Sequence, residues 1–142
     1  MQQLYASGTQ HLMQIYFQAA TFAGPFYIGL GTGAIPSGVV KTLADITEVE
    51  GDGYARIEVA RTNDADTGWT LNGGIVQSPV LTFTNSNVDP SVAWTDADYC
   101  FLTLSPSGTS SPAVLLGAIE MDTVVLTGTQ SESIVFTFSL FS

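Results

Sequence analysis

Carboxylates are the only abundant side chains in this sequence that could do chemistry. The 142 residues include thirteen Asp and Glu, but a single histidine, His11, and a single cysteine, Cys100. Zinc needs three or four His, Cys or carboxylate ligands, and this composition does not supply the usual set. Cys100 lies between Tyr99 and Phe101 in an apolar run, so we expect a buried, unreactive thiol.

Three groups of carboxylates occur in segments with the composition of loops, namely Asp64 with Asp66, Asp96 with Asp98, and Glu48 with Glu50 and Asp52. Calcium binds such oxygens, but the EF-hand spacing with its closing Glu is absent. A glycosidase needs two facing carboxylates in a cleft with aromatic walls, and Trp69 and Trp94 each lie near an Asp pair. A structural calcium ion and a bound glycan are therefore alternatives. We predict instead solvated loop carboxylates, core-edge tryptophans, and no catalytic residue, metal or cofactor.

The charge balance argues against two classes of partner. The net charge is −10, and the only basic residues besides His11 are Lys41, Arg56 and Arg61. Nucleic-acid binding requires a basic footprint, and an acidic surface is repelled by an anionic membrane. No apolar run has the length of a membrane span, and the N-terminus lacks the pattern of a signal peptide. We therefore expect neither nucleic acid nor membrane as a partner.

A tight turn at 51–53 leads into the most informative segment. Gly51 and Gly53 flank Asp52, and glycine adopts positive φ without steric cost. Apolar and polar residues then alternate, which predicts a half-buried strand over 54–61 with Tyr54 and Arg56 on the polar face. Because carboxylates far outnumber bases, we expect Arg56 to form an ion pair or a hydrogen-bond network.

Residues 4–22 have the periodicity of an amphipathic helix, and Gly24-Pro25 ends it. One stripe contains Tyr16, and Phe17 lies beside it. Such a face usually covers a sheet, and the alternative is a face presented to a neighbouring subunit. Tyr16 and Phe17 are therefore candidate interface residues.

The rest of the chain consists of short apolar segments separated by turns. Predicted strands cover residues 26–30, 54–61, 80–84, 99–104, 114–121, 124–126 and 133–141, and Pro79 interrupts the segment 75–84. In the last strand, Ile134, Phe136, Phe138 and Leu140 share one face. One helix followed by many short strands predicts a single domain over residues 1–142. Its expected class is mainly β, an antiparallel sandwich or jelly-roll-like fold with one N-terminal helix.

The order of these motifs carries a resemblance. Tyr-Ile-Gly-Leu-Gly-Thr-Gly at 27–33 is followed by Glu-Gly-Asp-Gly-Tyr-Ala-Arg at 50–56, Trp69, Leu-Thr-Phe-Thr at 81–84 and Trp94. This order resembles a family of small tailed-bacteriophage structural proteins, labelled tail-fibre-like or minor virion proteins, over nearly the whole chain. Gly53-Tyr54-Ala55-Arg56 with the two tryptophans is its most specific part. Thr95 follows Trp94 where the family tends to have glycine.

The resemblance implies a place in the virion and brings no catalytic residues. We expect a capsid cement or decoration subunit that stabilises the head lattice, forms a homotrimer, and contacts the major capsid protein or other virion subunits. The chain lacks the heptads or repeats of a fibre shaft. A tail or baseplate module that contacts the host surface is the alternative, and a hydrolase is a third class. Candidate interface or structural residues are Tyr54, Arg56, Trp69, Trp94, Tyr16 and Phe17.

Overall fold

The computed structural model describes residues 2–6, 8–10, 17–18, 24–38, 41–109 and 114–139. The described residues form ten strands: β1 Gln2–Leu4, β2 Phe26–Gly31, β3 Ile57–Val59, β4 Thr70–Asn72, β5 Ile75–Gln77, β6 Leu81–Thr84, β7 Ala97–Thr103, β8 Leu115–Val124, β9 Ser131–Ile134 and β10 Thr137–Ser139. Their pairings are antiparallel. The mainly β class predicted from the sequence is confirmed.

A five-stranded sheet with the order β1-β8-β7-β2-β3 forms one layer of the fold. One of its faces carries Ile28 and Leu30 from β2 with Cys100 and Leu102 from β7, all buried. They pack in one cluster with apolar residues of the other strands, which include Leu81, Phe83 and Phe136. The main core therefore lies between the five-stranded sheet and a second layer of strands, as in a β-sandwich.

The second layer is a long two-stranded ribbon with one more strand at its edge. β5 pairs with β10 and β6 pairs with β9, while β4 adds to β5 through a hairpin turn at Gly73 and Gly74. Both glycines have positive φ, of 57° and 88°, as a two-residue hairpin requires. Residues 78–80 oppose only residues 135–136, so the register shifts by one residue between the two halves of the ribbon.

The register shift follows from Pro79, which has no N–H to donate and is tolerated at a bulge. The Ser78 N–H donates to the Phe136 carbonyl at 2.9 Å. The Phe136 N–H in turn donates to the Ser78 Oγ at 2.9 Å. A serine side chain thus carries the hydrogen-bond ladder across the bulge, and the ribbon continues on the far side.

The other face of the five-stranded sheet carries a smaller aromatic core. Tyr99 and Phe101 of β7 pack there with Tyr5, Leu43, Leu115 and Ala118. Leu43 lies in a single 3-10 turn, Leu43–Asp45, which Thr42 and Asp45 cap reciprocally. This turn closes the face that the sandwich core does not use.

Several predicted boundaries were wrong. Leu4 belongs to β1 and not to the predicted helix over 4–22. Ala6, residues 8–10, Phe17 and Gln18 are helical, whereas Ser7 and residues 11–16 and 19–22 lie outside the described residues. The strand predicted over 54–61 begins only at Ile57 and ends at Val59. Arg56 is buried and Ala55 is exposed, which reverses the predicted faces at these positions.

The C-terminal predictions were also too simple. The strand predicted over 133–141 is two strands, β9 and β10, because the ladder is interrupted opposite Pro79. Its predicted inner face is confirmed where described: Phe136 is 2% exposed, and Ile134 and Phe138 pack against the core. Leu140 lies outside the described residues. The strand predicted over 114–121 is β8, which continues to Val124, whereas residues 125–126 of the strand predicted over 124–126 are not in a strand.

Candidate functional site

Arg56 and Glu48 form a bidentate ion pair at the edge of the five-stranded sheet. The Arg56 Nε donates to Glu48 Oε1 at 2.8 Å, and Nη2 donates to Oε2 at 2.7 Å. The Arg56 side chain is 2% exposed and that of Glu48 is 26% exposed. The planar fork of a guanidinium matches a carboxylate in this way, and an ammonium does not. The ion pair expected for Arg56 is therefore confirmed.

The same guanidinium also holds a distant loop. Its Nη1 donates to the Ser105 carbonyl at 3.0 Å and Nη2 donates to the Gly108 carbonyl at 2.9 Å. The guanidinium carbon lies 5.3 Å from the centroid of the Phe101 ring. Arg56 thus joins three parts of the chain, and its donors are committed to internal partners. The arrangement stabilises the fold and leaves little of the guanidinium for a substrate anion.

Tyr54 fills a gap at the edge of β2. β3 pairs with β2 only as far as Ile28, and the next contact along that edge is an isolated bridge between Gly31 and Glu48. Between them, the Leu30 N–H donates to the Tyr54 hydroxyl at 2.8 Å. The hydroxyl donates in turn to Glu48 Oε1 at 2.8 Å. A side chain therefore replaces the missing strand partner, and it links β2 to the ion pair.

The environment of Tyr54 disfavours its ionised form. Burial raises the pKa of Tyr54 well above its ordinary value, and the neighbouring Glu48 charge raises this pKa further. The Tyr54 ring stacks on Phe83 with the centroids 6.2 Å apart and meets Trp94 edge-on at 5.5 Å. The hydroxyl is consequently held protonated, with its proton directed to an acceptor.

Two glycines of β2 make room for the aromatic rings beside this network. Gly29 pairs with Phe101, and Gly31 pairs with Tyr99. A Cβ at Gly29 would lie 2.4 Å from Phe101 Cζ, and one at Gly31 would lie 2.1 Å from Tyr99 Cζ. The rings therefore lie across β2 on top of its backbone. Glycine is required here for close approach and not for positive φ.

Trp94 locks the turn that precedes Tyr54. Its Nε1 donates to the Asp52 carbonyl at 2.9 Å, and its ring lies against Gly51, where a Cβ would be 1.9 Å from Trp94 Cδ1. Gly53 has φ of 79°, which confirms the predicted turn. Tyr54 thus links Trp94 to the ion pair of Glu48 and Arg56.

Trp69 belongs to a different part of the core. It is 8% exposed and makes edge-on contacts with Phe26, Phe136 and Phe138. Its indole N–H is buried and has no hydrogen-bond partner among the described residues. Of the two helix candidates, Phe17 is 82% exposed, and Tyr16 lies outside the described residues. Trp69 and Phe17 are therefore not part of the network.

Sequence reasoning missed Glu48 as the partner of Arg56. It was grouped with Glu50 and Asp52 as a solvated loop carboxylate, and a spacing of eight residues gives no periodic relation to Arg56. Nothing in the sequence separates Glu48 from the other carboxylates. Its role follows from the bridge to Gly31, which places its side chain beside Arg56.

An open cleft of about 550 Å³ borders the network. Its walls come from residues 46–50, from residues 54–56, and from Pro106, Ser107 and Gly108 of the loop that Arg56 holds. The Ser107 carbonyl accepts a hydrogen bond from the Ser105 hydroxyl at 3.0 Å. The side chains that line this cleft include the carboxylates of Glu48 and Glu50 and the hydroxyls of Thr47, Tyr54 and Ser107, and carboxylate oxygens accept hydrogen bonds from hydroxyl donors.

Two of the predicted loop carboxylates have local structural roles. Asp64 accepts from the N–H groups of Asp66 and Thr67 at 2.8 and 3.2 Å. Asp98 accepts from the Thr123 hydroxyl and the Gly33 N–H, both at 2.6 Å, and these bonds hold the pKa of Asp98 below its usual value. No group of three or more His, Cys, Asp or Glu among the described residues could hold a metal ion.

Two further observations concern the thiol of Cys100 and the length and hydropathy of the helices. Cys100 is buried as predicted, and burial raises the pKa of its thiol to about 12. Within the described part of the chain, no helix is long and apolar enough to cross a membrane.

No protein-family model matches the sequence, and no curated protein is similar to it. The case for a function therefore depends on the residues themselves and on the resemblance described above.

Proposed function

We propose that this chain is a structural protein of a tailed-bacteriophage virion, and that it acts as a capsid cement subunit. On the assembled head it is arranged as a homotrimer and contacts the major capsid protein or other virion subunits, and it performs no catalysis. The observation that carries the proposal is the saturated Arg56 network. The Gly53–Arg56 segment, which is the most specific part of the resemblance, fastens a sheet edge and a loop together.

The physical basis of such a role is selective binding. A subunit that binds the assembled lattice and not its free components stabilises the lattice by mass action. Contacts that are weak one at a time add up when they are repeated over a shell. The chain carries few basic residues, so contacts with neighbours would depend little on ion pairs, and salt would screen them little.

The test uses particles that lack the protein. They should assemble but release their DNA on heating, and the purified protein, added back, should bind expanded heads and restore heat resistance. Restoration should be equal at low and high salt. An unrelated acidic protein of the same size, added at the same concentration, is the control. Particles that hold their DNA equally well without this protein would contradict the cement function.

A second candidate function follows from the cleft beside the network. The carboxylates of Glu48 and Glu50 in its lining can accept hydrogen bonds from the hydroxyl groups of a sugar, and Tyr54 lies in its wall. A tail or baseplate module that contacts a host glycan would use such a cleft. In that case particles without the protein would keep their DNA on heating but would lose adsorption to host cells.

A further inference from the structure

One face of the second layer carries no charge. We name it the uncharged ribbon face, and it consists of the outward side chains of the β5-β6 and β9-β10 ribbon: Ile75, Gln77, Val80, Thr82, Thr84, Ser131, Ser133, Val135, Thr137 and Ser139. All ten positions are described. Exposed carboxylates occur elsewhere, for example Glu58 on β3 and Asp122 on β8. The chain as a whole has a net charge of −10.

The hydroxyl groups in the β6-β9 half of this face already bond to each other. Thr82 and Ser133 are directly opposite, with their hydroxyl oxygens 2.8 Å apart. Thr84 and Ser131 are also opposite, with theirs 2.7 Å apart. A buried polar group costs free energy mainly when it lacks a partner. Burying these pairs under a second surface would therefore cost less free energy than burying hydroxyls that have no partner.

Apolar side chains lie beside the hydroxyl pairs. Val80 is 67% exposed, Val135 is 44% exposed, and Ile75 is 45% exposed. Val80 and Val135 occupy the two sides of the bulge at Pro79, next to the Thr82 and Ser133 pair. The face thus combines exposed apolar area with hydroxyls that are already paired, and both features favour burial.

We propose that a second copy of this chain docks on the uncharged ribbon face, face to face. Two copies at net charge −10 repel each other, and a contact through charged surface would bring like charges close together. A contact between two uncharged faces avoids that cost. A surface that meets its own copy produces a two-fold pair, so free protein forms dimers through this face.

The contact is weak because the face is small. Each strand of the ribbon is about ten residues long, at about 3.3 Å per residue, and the two strands lie about 4.8 Å apart. The face therefore covers roughly 300 Å². Stable interfaces bury about 800 Å² on each partner. The pair is therefore concentration-dependent in free solution. The biological role of this contact rests on the proposed function, because a capsid lattice that holds many copies side by side strengthens weak contacts.

The test is sedimentation and light scattering of the purified chain over a concentration series up to about 1 mM. The wild-type mean mass should rise from one copy towards two. Thr82→Glu places a like charge on the face in both copies, and it should raise the concentration needed for pairing about ten-fold or more. Thr109→Glu makes the same change at an exposed position outside the face and should pair as the wild type does.

A mixture of two variants separates charge from misfolding. Thr82→Glu mixed with Thr82→Lys should recover pairing, because unlike charges then meet across the face. A wild type that stays monomeric throughout, or equal loss in Thr82→Glu and Thr109→Glu, would overturn the inference. A mass of three copies that depends on Thr82 would also overturn the face-to-face pair. None of these results changes where the protein lies in a particle, so failure here differs from failure of the proposed function.

Discussion

Charged side chains are placed differently in two regions of the molecule. One is the network edge, which consists of Glu48, Tyr54 and Arg56, and the other is the uncharged ribbon face. At the edge, an ion pair lies largely out of water and carries four hydrogen bonds from one guanidinium. On the ribbon face, no side chain is charged although the face is open to water. One of the few basic residues, Arg56, is therefore used inside the molecule to hold a sheet edge and a loop together, whereas the ribbon face is neutral.

The largest expected effect is the difference in stability loss between a substitution on the inner face of the ribbon and one on its outer face. Phe136 is 2% exposed and its neighbour Val135 is 44% exposed. Phe136→Ala should lower the free energy of unfolding by about 3–5 kcal/mol through the cavity it leaves, whereas Val135→Ala should cost less than about 1 kcal/mol. Urea unfolding of both variants measures the difference. Equal losses would mean that the ribbon does not have one buried and one exposed face.

The next effect tests the fork at the network edge. Arg56→Lys keeps the positive charge but loses the bidentate pair and at least one loop carbonyl, and it should lower the free energy of unfolding by about 2 kcal/mol. Arg61→Lys is the matched control, because Arg61 is exposed, with its guanidinium 4.6 Å from the Phe26 ring. This substitution should lower the free energy of unfolding by about 0.5 kcal/mol or less. Equal urea midpoints for Arg56→Lys and the wild type would show that the fork contributes nothing.

The smallest effect concerns the hydroxyl of Tyr54 and depends on pH. Tyr54→Phe leaves the Leu30 N–H without its partner and should cost about 1 kcal/mol at pH 7. The pKa of Tyr54 in the folded protein is raised above the ordinary 10.0. The contribution of its hydroxyl to the free energy of unfolding is therefore complete below the ordinary pKa. It is lost as the pH rises towards the folded pKa, since the unfolded chain ionises first.

The wild type should therefore lose stability more steeply than Tyr54→Phe above about pH 10. The two curves of unfolding free energy against pH should approach each other. Parallel curves across this range would mean that Tyr54 titrates as it does in the unfolded chain, and that its hydroxyl is not held in the network.

Local patterns predicted the elements that depend on neighbours in sequence. The glycine turn at 51–53 is confirmed by the positive φ of Gly53, and the strand predicted over 80–84 is β6. Pro79 correctly predicted an interruption. Its effect on the opposite strand was not predicted, because a one-residue register shift leaves no trace in the alternation at 133–139.

The network edge could be predicted only in part. The excess of carboxylates indicated that Arg56 would be paired, but not that Glu48 would be its partner. The segment 54–56 was assigned to a strand because its residues alternate, although Tyr54 and Arg56 point inward. Burial of an arginine depends on three separate segments that meet in space, and no local pattern encodes such a meeting.

The most direct test of the proposed function is the number of copies per particle. Quantitative mass spectrometry of purified virions, with the major capsid protein as the internal standard, measures it. A cement subunit should be present in hundreds of copies, in fixed proportion to the major capsid protein, and should be found in tailless heads. A few copies to a few dozen, found in tails and absent from heads, would contradict the cement function and favour the host-contact module.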